Sequence, residues 1–345
     1  MTGIERDNKK PSVSAVTVTF NRLEKLKHTL ACFDNQTAAF DNLIVVDNCS
    51  TDGTREFLEQ WRSRESVFSK HVIFLDRNTG GSGGFYEGEK YALSLNPDWI
   101  YIADDDAYPA PDMIESFYNF ESRFRNEKLA AICSVVLYPD GTINTSHRGN
   151  FCIKEDIYTL ENVAKKEYAK PYFEFNNLSY VGSFISAAAL NTVGLVNKDF
   201  FIYQDDSEHS IRLSSYGIFI CCPQIVVTHD EPKQLDERSI KKGLWKEYYA
   251  HRNNLYMIRV HFPKAAKKAT IQKLEQIHSH KDKSMSAVNK MALEGIKDAI
   301  LGKLGLHPIY RPGLNLDETY DLPYPKCIWQ VVYWLFRIRK MIIQR

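Results

Sequence analysis

The sequence lacks the features of a secreted protein that is stabilised by disulfide bonds. Its seven cysteines contain no CxxC pair and follow no regular spacing, and an odd number does not complete a set of disulfides within one chain. Residues 1–11 are polar and have no apolar segment of the kind found in secretory signal peptides. We therefore expect reduced thiols and a cytoplasmic protein.

A long hydrophobic run is also missing, since no stretch approaches the roughly 20 apolar residues that a membrane-spanning helix needs. The composition, 44% hydrophobic and 25% charged, is that of an ordinary globular protein. The net charge of +1 conceals an asymmetry, because residues 263–345 contain 15 Lys and Arg against 7 Asp and Glu. We expect any anionic partner to bind at this end, and we expect no nucleic-acid partner.

Two common phosphate-binding motifs are absent as well. The chain has neither a Walker A loop ending in GK[ST] nor a GxGxxG sequence after its first predicted strand. A glycine-rich segment does occur at residues 78–84, Asn-Thr-Gly-Gly-Ser-Gly-Gly, just before a predicted helix. Bare backbone amides there could approach an anionic or polyhydroxylated ligand beside the helix N-terminus. A flexible surface loop is the alternative.

The first half of the chain alternates short β-branched runs with amphipathic segments, which is typical of an α/β fold with a mostly parallel sheet. The predicted strands are Ser14–Phe20, Asn42–Val46, His71–Leu75 and Trp99–Ala103. The predicted helices are Leu23–Asn35, Gly53–Arg62, Gly84–Leu95 and Pro111–Arg125. Ligands of such sheets bind at the carboxyl ends of the strands. Polar residues gather there, at 21–22, 47–48, 76–84 and 104–106.

We predict a catalytic domain over residues 1–262, with a nucleotide-binding half of about 1–130 and an acceptor half of about 131–262. Residues 263–345 follow as a basic helical region that ends in an amphipathic helix over 327–345. This last segment combines Trp, Tyr and cationic residues, which favours a helix lying on an anionic membrane surface. A helix packed on the catalytic domain or on a second subunit is the alternative, so a homo-oligomer stays open.

Three consecutive aspartates, Asp104, Asp105 and Asp106, follow an apolar predicted strand. Like charges this close coexist more easily with a bound cation, and Mg²⁺ or Mn²⁺ would use one or two carboxylates and leave positions for diphosphate oxygens. The alternative is an acidic helix N-cap. Asp47 ends another strand, where it could accept the N3 hydrogen of a uracil or thymine, and Ser50 or Asp52 after it could simply cap the helix that follows.

These segments together resemble glycosyltransferase family 2, the inverting enzymes with a GT-A fold. Residues 18–22 (Val-Thr-Phe-Asn-Arg) are similar to the family's opening strand, residues 46–54 to its nucleotide loop, and residues 104–106 to its DXD metal motif. Three further segments resemble the galactofuranosyl- and rhamnosyltransferase branch, namely residues 78–85, 205–208 and 248–253.

The resemblance implies a site in which Asp104, Asp106 and His229 bind a divalent metal, Mn²⁺ or Mg²⁺. It also implies a group of nucleotide-binding residues, Phe20, Arg22, Asp47, Asn78 and Asp105.

By the same resemblance Asp206 is the general base, and a group of neighbours binds acceptor and sugar: Asp205, Glu208, Gly81, Ser82, Gly83 and Trp245. Apolar residues before Asp206 would raise its pKa. The alternative is a helix capping box over residues 205–208. Arg252 lies within an aromatic stripe at helical spacing, so it either binds a diphosphate or belongs to the core.

The sequence therefore predicts an inverting enzyme that transfers galactofuranose from UDP-galactofuranose to a lipid-linked glycan acceptor in cell-surface polysaccharide synthesis, such as O-antigen or capsule. Rhamnose from dTDP-rhamnose is one alternative. A non-catalytic carbohydrate-binding or scaffold protein of the same fold is another. We expect the protein at the inner face of the cell membrane as a peripheral protein.

Overall fold

The computed structural model describes residues 10–124, 127–279 and 287–314. The predicted helix over 327–345 lies outside these residues. Within them, no helix is both long and apolar enough to cross a bilayer.

The described residues contain two sheets and ten α-helices. The strands are β1 (Val13–Thr19), β2 (Asn42–Asp47), β3 (Ser69–Phe74), β4 (Trp99–Asp104), β5 (Ala107–Pro109), β6 (Leu129–Leu137), β7 (Arg148–Lys154), β8 (Ile157–Asn162), β9 (Phe173–Phe175), β10 (Asn177–Leu178), β11 (Ser183–Ser186) and β12 (Ile218–His229). The helices are α1 (Leu23–Asp34), α2 (Thr54–Arg62), α3 (Gly80–Ser94), α4 (Met113–Glu121), α5 (Ala187–Val193), α6 (Asp205–Ser214), α7 (Glu237–Gly243), α8 (Lys246–His261), α9 (Pro263–Ser279) and α10 (Ala287–Leu301).

The large sheet has nine strands in the order β3-β2-β1-β4-β11-β6-β12-β5, and β9 pairs with β12. The four strands predicted from the sequence pair in parallel with one another, and β6 and β12 form a further parallel pair. Thr19 pairs with Asp47, and Val18 pairs with Asp104, so the carboxyl ends of β1, β2 and β4 meet at one edge. A smaller sheet, β10-β7-β8, lies beside it. The predicted α/β class is confirmed.

Both faces of the large sheet are covered, which explains why β1 is buried along its whole length. Val13 and Ala15 pack in one core cluster with α1, and Val16 and Val18 pack in another with Phe85 of α3. A parallel strand covered on both sides has no face toward solvent, and the small polar side chains of Ser14 and Thr17 are buried together with the valines of β1.

Helix α3 begins at Gly80, four residues before the predicted start, so residues 80–84 are helical and the alternative of a flexible surface loop is wrong for them. The glycines have a packing role. A Cβ on Gly84 would lie 2.4 Å from Cγ1 of Val18, and one on Gly88 would lie 2.4 Å from Cγ1 of Val16. Because these residues have no side chain, α3 can lie directly against β1.

The helices after residue 262 share a hydrophobic core with residues that precede them in the chain. Ile258 of α8, Ala269 of α9 and Ile296 of α10 pack around Phe200. A Cβ on Gly295 would lie 2.5 Å from the Tyr248 carbonyl oxygen, so α10 lies very close to the backbone of α8. The helices α9 and α10 therefore pack on the part of the chain that precedes them, and the predicted division of the chain at residue 262 stays a prediction.

Candidate active site

A first acidic cluster lies at the carboxyl edge of the sheet. One ligand atom from each of Asp104, Asp106 and His229 can be chosen so that all lie within 4.8 Å of one another. His229 lies 123 positions after Asp106 in the chain. It is close to Asp106 in space because the last residues of β12 pair with β5, with His229 opposite Ala107. The structure thus brings together the three residues that the sequence predicts as metal ligands.

Cationic side chains surround this cluster. The Arg22 guanidinium forms ion pairs with Asp106 and, at 2.8 Å, with Asp105. Lys25 Nζ lies 3.0 Å from Asp106 Oδ2. Although burial acts in the opposite direction, contact with His229 and the charge of Arg22 hold the pKa of Asp106 well below its usual range. Burial and the charge of Asp106 raise the pKa of Asp104 to about 7.

The residues present fit a hard divalent cation. Asp106 Oδ1 is buried and, within the described part of the chain, accepts no hydrogen bond, although His229 Nε2 lies 3.3 Å away. Two carboxylates and one imidazole are a donor set that Mn²⁺ or Mg²⁺ accepts, with the remaining positions open to phosphate oxygens.

A second group of residues, which the sequence analysis does not single out, contacts His229 on the Nδ1 side of its ring. The Nε2 side faces Asp106. Glu231 Oε1 lies 3.2 Å from His229 Nδ1 and accepts a hydrogen bond of 2.6 Å from Asn144 Nδ2. His147 Nε2 is 3.4 Å from the same oxygen. A carboxylate on one imidazole nitrogen leaves the other free to face a metal. Glu231 follows the predicted ligand by two residues, but only the fold brings His147 and Asn144 close.

Asp47 is fully buried at the end of β2. Its Oδ1 accepts a hydrogen bond of 3.0 Å from the Ser50 amide, whereas Oδ2 is buried and without a hydrogen bond among the described residues. An unpaired buried carboxylate oxygen calls for a partner. Phe20 is half-buried and Arg22 is exposed at the neighbouring end of β1, where the predicted nucleotide would lie.

Asn78 and Asp105 have partners within the protein. Asn78 Oδ1 accepts hydrogen bonds from the Gly80 amide at 2.8 Å and from Asn48 Nδ2 at 3.2 Å. Asp105 is buried, and its Oδ2 accepts a hydrogen bond of 2.6 Å from Thr19. These contacts hold the strand ends together, and the nucleotide-binding role of both side chains stays a prediction.

A second acidic cluster, Asp205 and Asp206, lies at the N-terminus of α6. Asp206 is half-buried, and its Oδ1 accepts a hydrogen bond of 2.7 Å from the Ser207 amide. Burial and the charge of Asp205 raise the pKa of Asp206 to about 7, and the charge of Asp104 adds to this shift. The cap residue is Gln204, whose side chain makes no capping hydrogen bond, so the alternative of a capping box over 205–208 is wrong.

Glu208 does not face the site with its two neighbours. It is buried against Arg212, with Nη2 at 2.8 Å from Oε2, and against His261, with Nε2 at 2.8 Å from Oε1. Although burial acts in the opposite direction, these contacts lower the pKa of Glu208 to about 2. Both carboxylate oxygens are thus engaged in contacts within the protein, and the role of Glu208 in binding sugar hydroxyls stays a prediction.

The predicted diphosphate residue Arg252 is also a structural residue. It is 1% exposed, and its guanidinium donates to the carbonyl oxygens of Gly305 at 2.6 Å and Phe200 at 2.8 Å. Trp245 is likewise buried, with its ring against Phe201. Both side chains pack among the aromatic residues of this region, which favours the core as the interpretation of this helical stripe, and their ligand-binding roles stay predictions.

The cation of α8 that does lie toward the site is Lys246. Burial lowers its pKa, and the charge of Arg22 lowers it further, whereas the charge of Asp104 raises it. Its ammonium group lies 5.6 Å from the ring centre of Tyr203. No sequence pattern singles out Lys246, because a lysine in the first turn of a helix has no motif around it.

The first turn of α3 lies next to the second acidic cluster. The Ser82 amide donates a hydrogen bond of 3.2 Å to the Phe201 carbonyl oxygen. Among the described residues Ser82 Oγ is buried without a hydrogen bond of ordinary geometry. It lies near enough to Asp205 to oppose the rise in the pKa of Asp205 that burial causes. A Cβ on Gly81 would meet no atom within 4 Å, whereas one on Gly83 would lie 2.4 Å from Thr79 Oγ1. Of the three predicted residues, Gly81 therefore offers space and Ser82 offers a hydroxyl beside Asp205.

Comparison with known proteins supplies the family and the fold. The sequence profile described as Glycosyl transferase family 2 matches residues 14–188, half of the chain. Galactofuranosyltransferase GlfT1 of Mycolicibacterium smegmatis is 40% identical over 104 residues, which cover 30% of this chain and 33% of that protein. The dTDP-rhamnosyl transferase RfbF of Shigella flexneri is 23% identical over 72% of this chain and 80% of that protein. The chain thus matches only about a third of the galactofuranosyltransferase.

Three solved structures show the architecture that this chain shares. GalNAc-T7 with UDP, GalNAc and Mn²⁺ superposes with a TM-score of 0.58 at 12% identity, covering 86% of this chain and 57% of that chain. S. aureus TarS 1-349 with UDP-GlcNAc gives 0.54 at 14% identity, covering 84% and 81%. The mannosyltransferase PcManGT of Pyrobaculum calidifontis with GDP-Man and Mn²⁺ gives 0.51 at 14% identity, covering 86% and 89%. The fold is the GT-A fold.

Proposed function

This chain belongs to glycosyl transferase family 2, and we propose that it is an inverting, metal-dependent hexosyltransferase that uses a nucleotide-sugar donor. The observation that carries this proposal is the pairing of two acidic clusters at one end of the fold. Asp104 and Asp106 lie with His229 in a metal-like arrangement. Asp206 is close enough for the charge of Asp104 to raise its pKa.

A divalent cation held by Asp104, Asp106 and His229 would neutralise charge on the departing nucleoside diphosphate. Asp206 takes the proton of the acceptor hydroxyl as the acceptor oxygen forms its bond to C1 of the sugar. The bond from C1 to the diphosphate oxygen breaks, and its electron pair leaves with the diphosphate. Attack from the opposite face inverts the configuration at C1.

We assign the remaining roles by position. Asp47 would accept the N3 hydrogen of the base through its unpaired Oδ2. Lys246, rather than Arg252, would contact the diphosphate, because it is the cation of α8 that lies toward Asp104. Asp205, Gly81 and Ser82 would contact sugar hydroxyls.

The donor we propose is UDP-galactofuranose, supported by the 40% identity to GlfT1 over part of the chain. The alternative, dTDP-rhamnose, is supported by the longer but weaker similarity to RfbF. Uracil and thymine present the same N3 hydrogen, so Asp47 does not distinguish them. The acceptor we propose is a lipid-linked glycan of a cell-surface polysaccharide.

The test is to incubate the pure protein with each nucleotide sugar and a synthetic lipid-linked acceptor, with Mn²⁺ or with EDTA, and to measure product masses. We expect one donor to give a product that is one hexosyl unit larger, and only with metal. Donor binding without any transfer would instead indicate a carbohydrate-binding or scaffold protein.

We also propose that residues 327–345 hold the enzyme at an anionic membrane surface as a peripheral protein. Their apolar and cationic side chains would act together in such an interface. Deleting these residues should reduce co-sedimentation with anionic vesicles and leave activity on soluble acceptors. Equal sedimentation of both forms would favour packing on protein.

A further inference from the structure

The turn that leads into α6 has an unusual backbone. Phe201, Tyr203 and Gln204 have φ angles of +68°, +67° and +66°. The backbone of a residue other than glycine is strained in this left-handed region. Such a residue keeps this conformation only where contacts with its surroundings stabilise it. Asp205 and Asp206 follow directly, so the direction of both carboxylates depends on what holds this turn.

Asn253 of α8 holds the turn from one side. It is completely buried, and its Nδ2 lies 2.9 Å from each of the carbonyl oxygens of Phe200, Ile202 and Tyr203. The orientation of the amide is fixed by Arg252, whose Nε donates a hydrogen bond of 2.8 Å to Asn253 Oδ1. A guanidinium can only donate, so Oδ1 must face it and Nδ2 must face the turn.

Helix α3 holds the turn from the other side. The Ser82 amide donates to the Phe201 carbonyl oxygen at 3.2 Å. A Cβ on Gly80 would lie 1.9 Å from the same oxygen, so the turn fits there only against glycine. The start of α3 and the start of α6 are therefore set relative to each other by this one turn.

We propose that Asn253, oriented by Arg252, is a positioning residue for catalysis. It keeps the turn over residues 200–204 left-handed, so that Asp206 and Asp205 face the acceptor. This proposal rests on the proposed function for the role of Asp206. The proposal also assigns a role to Arg252 and Asn253, the last two residues of the segment 248–253. Their hydrogen bonds are to each other and to backbone carbonyl oxygens.

The first test is Asn253→Ala, with Asn254→Ala as the matched control. Asn254 is also on α8, but among the described residues its Nδ2 hydrogen-bonds to the Gln204 side chain, at 3.3 Å, and not to the backbone of the turn. In Asn253→Ala we expect faster amide hydrogen exchange over residues 200–206 and a kcat lower by roughly 10- to 100-fold, because small displacements of a reacting group are costly. The donor Kd should change less than about threefold, and Asn254→Ala should stay within about twofold of wild type throughout.

The second test is rescue. Glycine adopts the left-handed region without strain. With Gln204→Gly the turn should therefore depend less on the hydrogen bonds from Asn253. We expect Gln204→Gly combined with Asn253→Ala to recover kcat several-fold over Asn253→Ala alone, which general loss of stability would not produce. If Asn253→Ala does not fold, Arg252→Lys removes the Nε donor while keeping the charge, and it should show the same exchange and kcat changes to a smaller degree.

Unchanged exchange over residues 200–206 in a folded variant, or equal losses in donor affinity and kcat, would overturn the proposal. So would the absence of rescue by Gln204→Gly. A wild-type protein that transfers no sugar would contradict the proposed function instead, and the exchange measurements would still show whether Asn253 holds the turn.

Discussion

The two acidic clusters contain the same residue type and differ in their surroundings. Asp106 contacts Arg22, Lys25 and His229, and its pKa is held well below the usual range. Asp206 has no ion-pair partner in the part of the chain that the structure describes, and burial beside Asp205 raises its pKa to about 7. The first environment suits a permanent anion that binds cations, and the second suits a base that gains and loses a proton near neutral pH.

The largest effect we expect comes from Asp206→Asn, which keeps the shape of the side chain and removes its basic oxygen. We expect a loss on the order of 10³ in kcat with little change in donor affinity. Transfer rates and calorimetric donor binding test this. Asp205→Asn is the control and should keep more activity. A kcat of Asp206→Asn within about tenfold of wild type would show that another residue is the general base, with Asp205 as the next candidate.

Changes in the first cluster should act on binding instead. We expect Asp104→Ala, Asp106→Ala and His229→Ala each to weaken donor binding by about 10- to 100-fold, because the diphosphate would face uncompensated acidic groups. Calorimetry with Mn²⁺ and with EDTA measures this. Asp140→Ala, an exposed acidic residue paired with Lys233, serves as the control. Nucleotide affinity that survives chelation and all three substitutions would rule out the metal assignment.

The pH dependence of kcat should distinguish the second cluster from the first. Asp206 is active as a base only when it is deprotonated, so kcat should fall about tenfold per pH unit below a pH of about 7. Because the charge of Asp205 contributes to the raised pKa of Asp206, Asp205→Asn should move this limb to lower pH. The measurement is kcat against pH at saturating donor. A limb that stays in place in Asp205→Asn would show that another group titrates.

The smallest effect concerns the packing that both clusters share. Gly88→Ala would place a Cβ 2.4 Å from Val16 Cγ1 on the sheet, and we expect it to lower the free energy of unfolding by about 1–3 kcal/mol. Gly81→Ala meets no atom within 4 Å and is the matched control. Denaturant unfolding compares the two. Equal stability of both variants would show that α3 is free to move away from β1.

Much of the first cluster could be predicted from the sequence, because its residues follow directly on apolar strands. The structure confirms strands at β1, β2, β3 and β4 within two residues of the predicted bounds. The acceptor side was predicted less well. Glu208 and Arg252 were expected to face ligands, and both are buried in contacts within the protein. Which way a helical side chain points depends on what packs against that helix, and a motif does not contain that information.

The sequence by itself determined the α/β class, the order of the strands and helices in the first half, and the polar residues that end the strands. These follow from local periodicity and from residue preferences at strand ends. Only the tertiary structure decided that Glu231 and His147 support His229, that Lys246 rather than Arg252 lies toward the acidic residues, and that Asn253 holds the turn before Asp205. Each of these relations, apart from the nearby Glu231, joins residues about 50 or more positions apart in the chain, and it arises only when the core brings their backbones together.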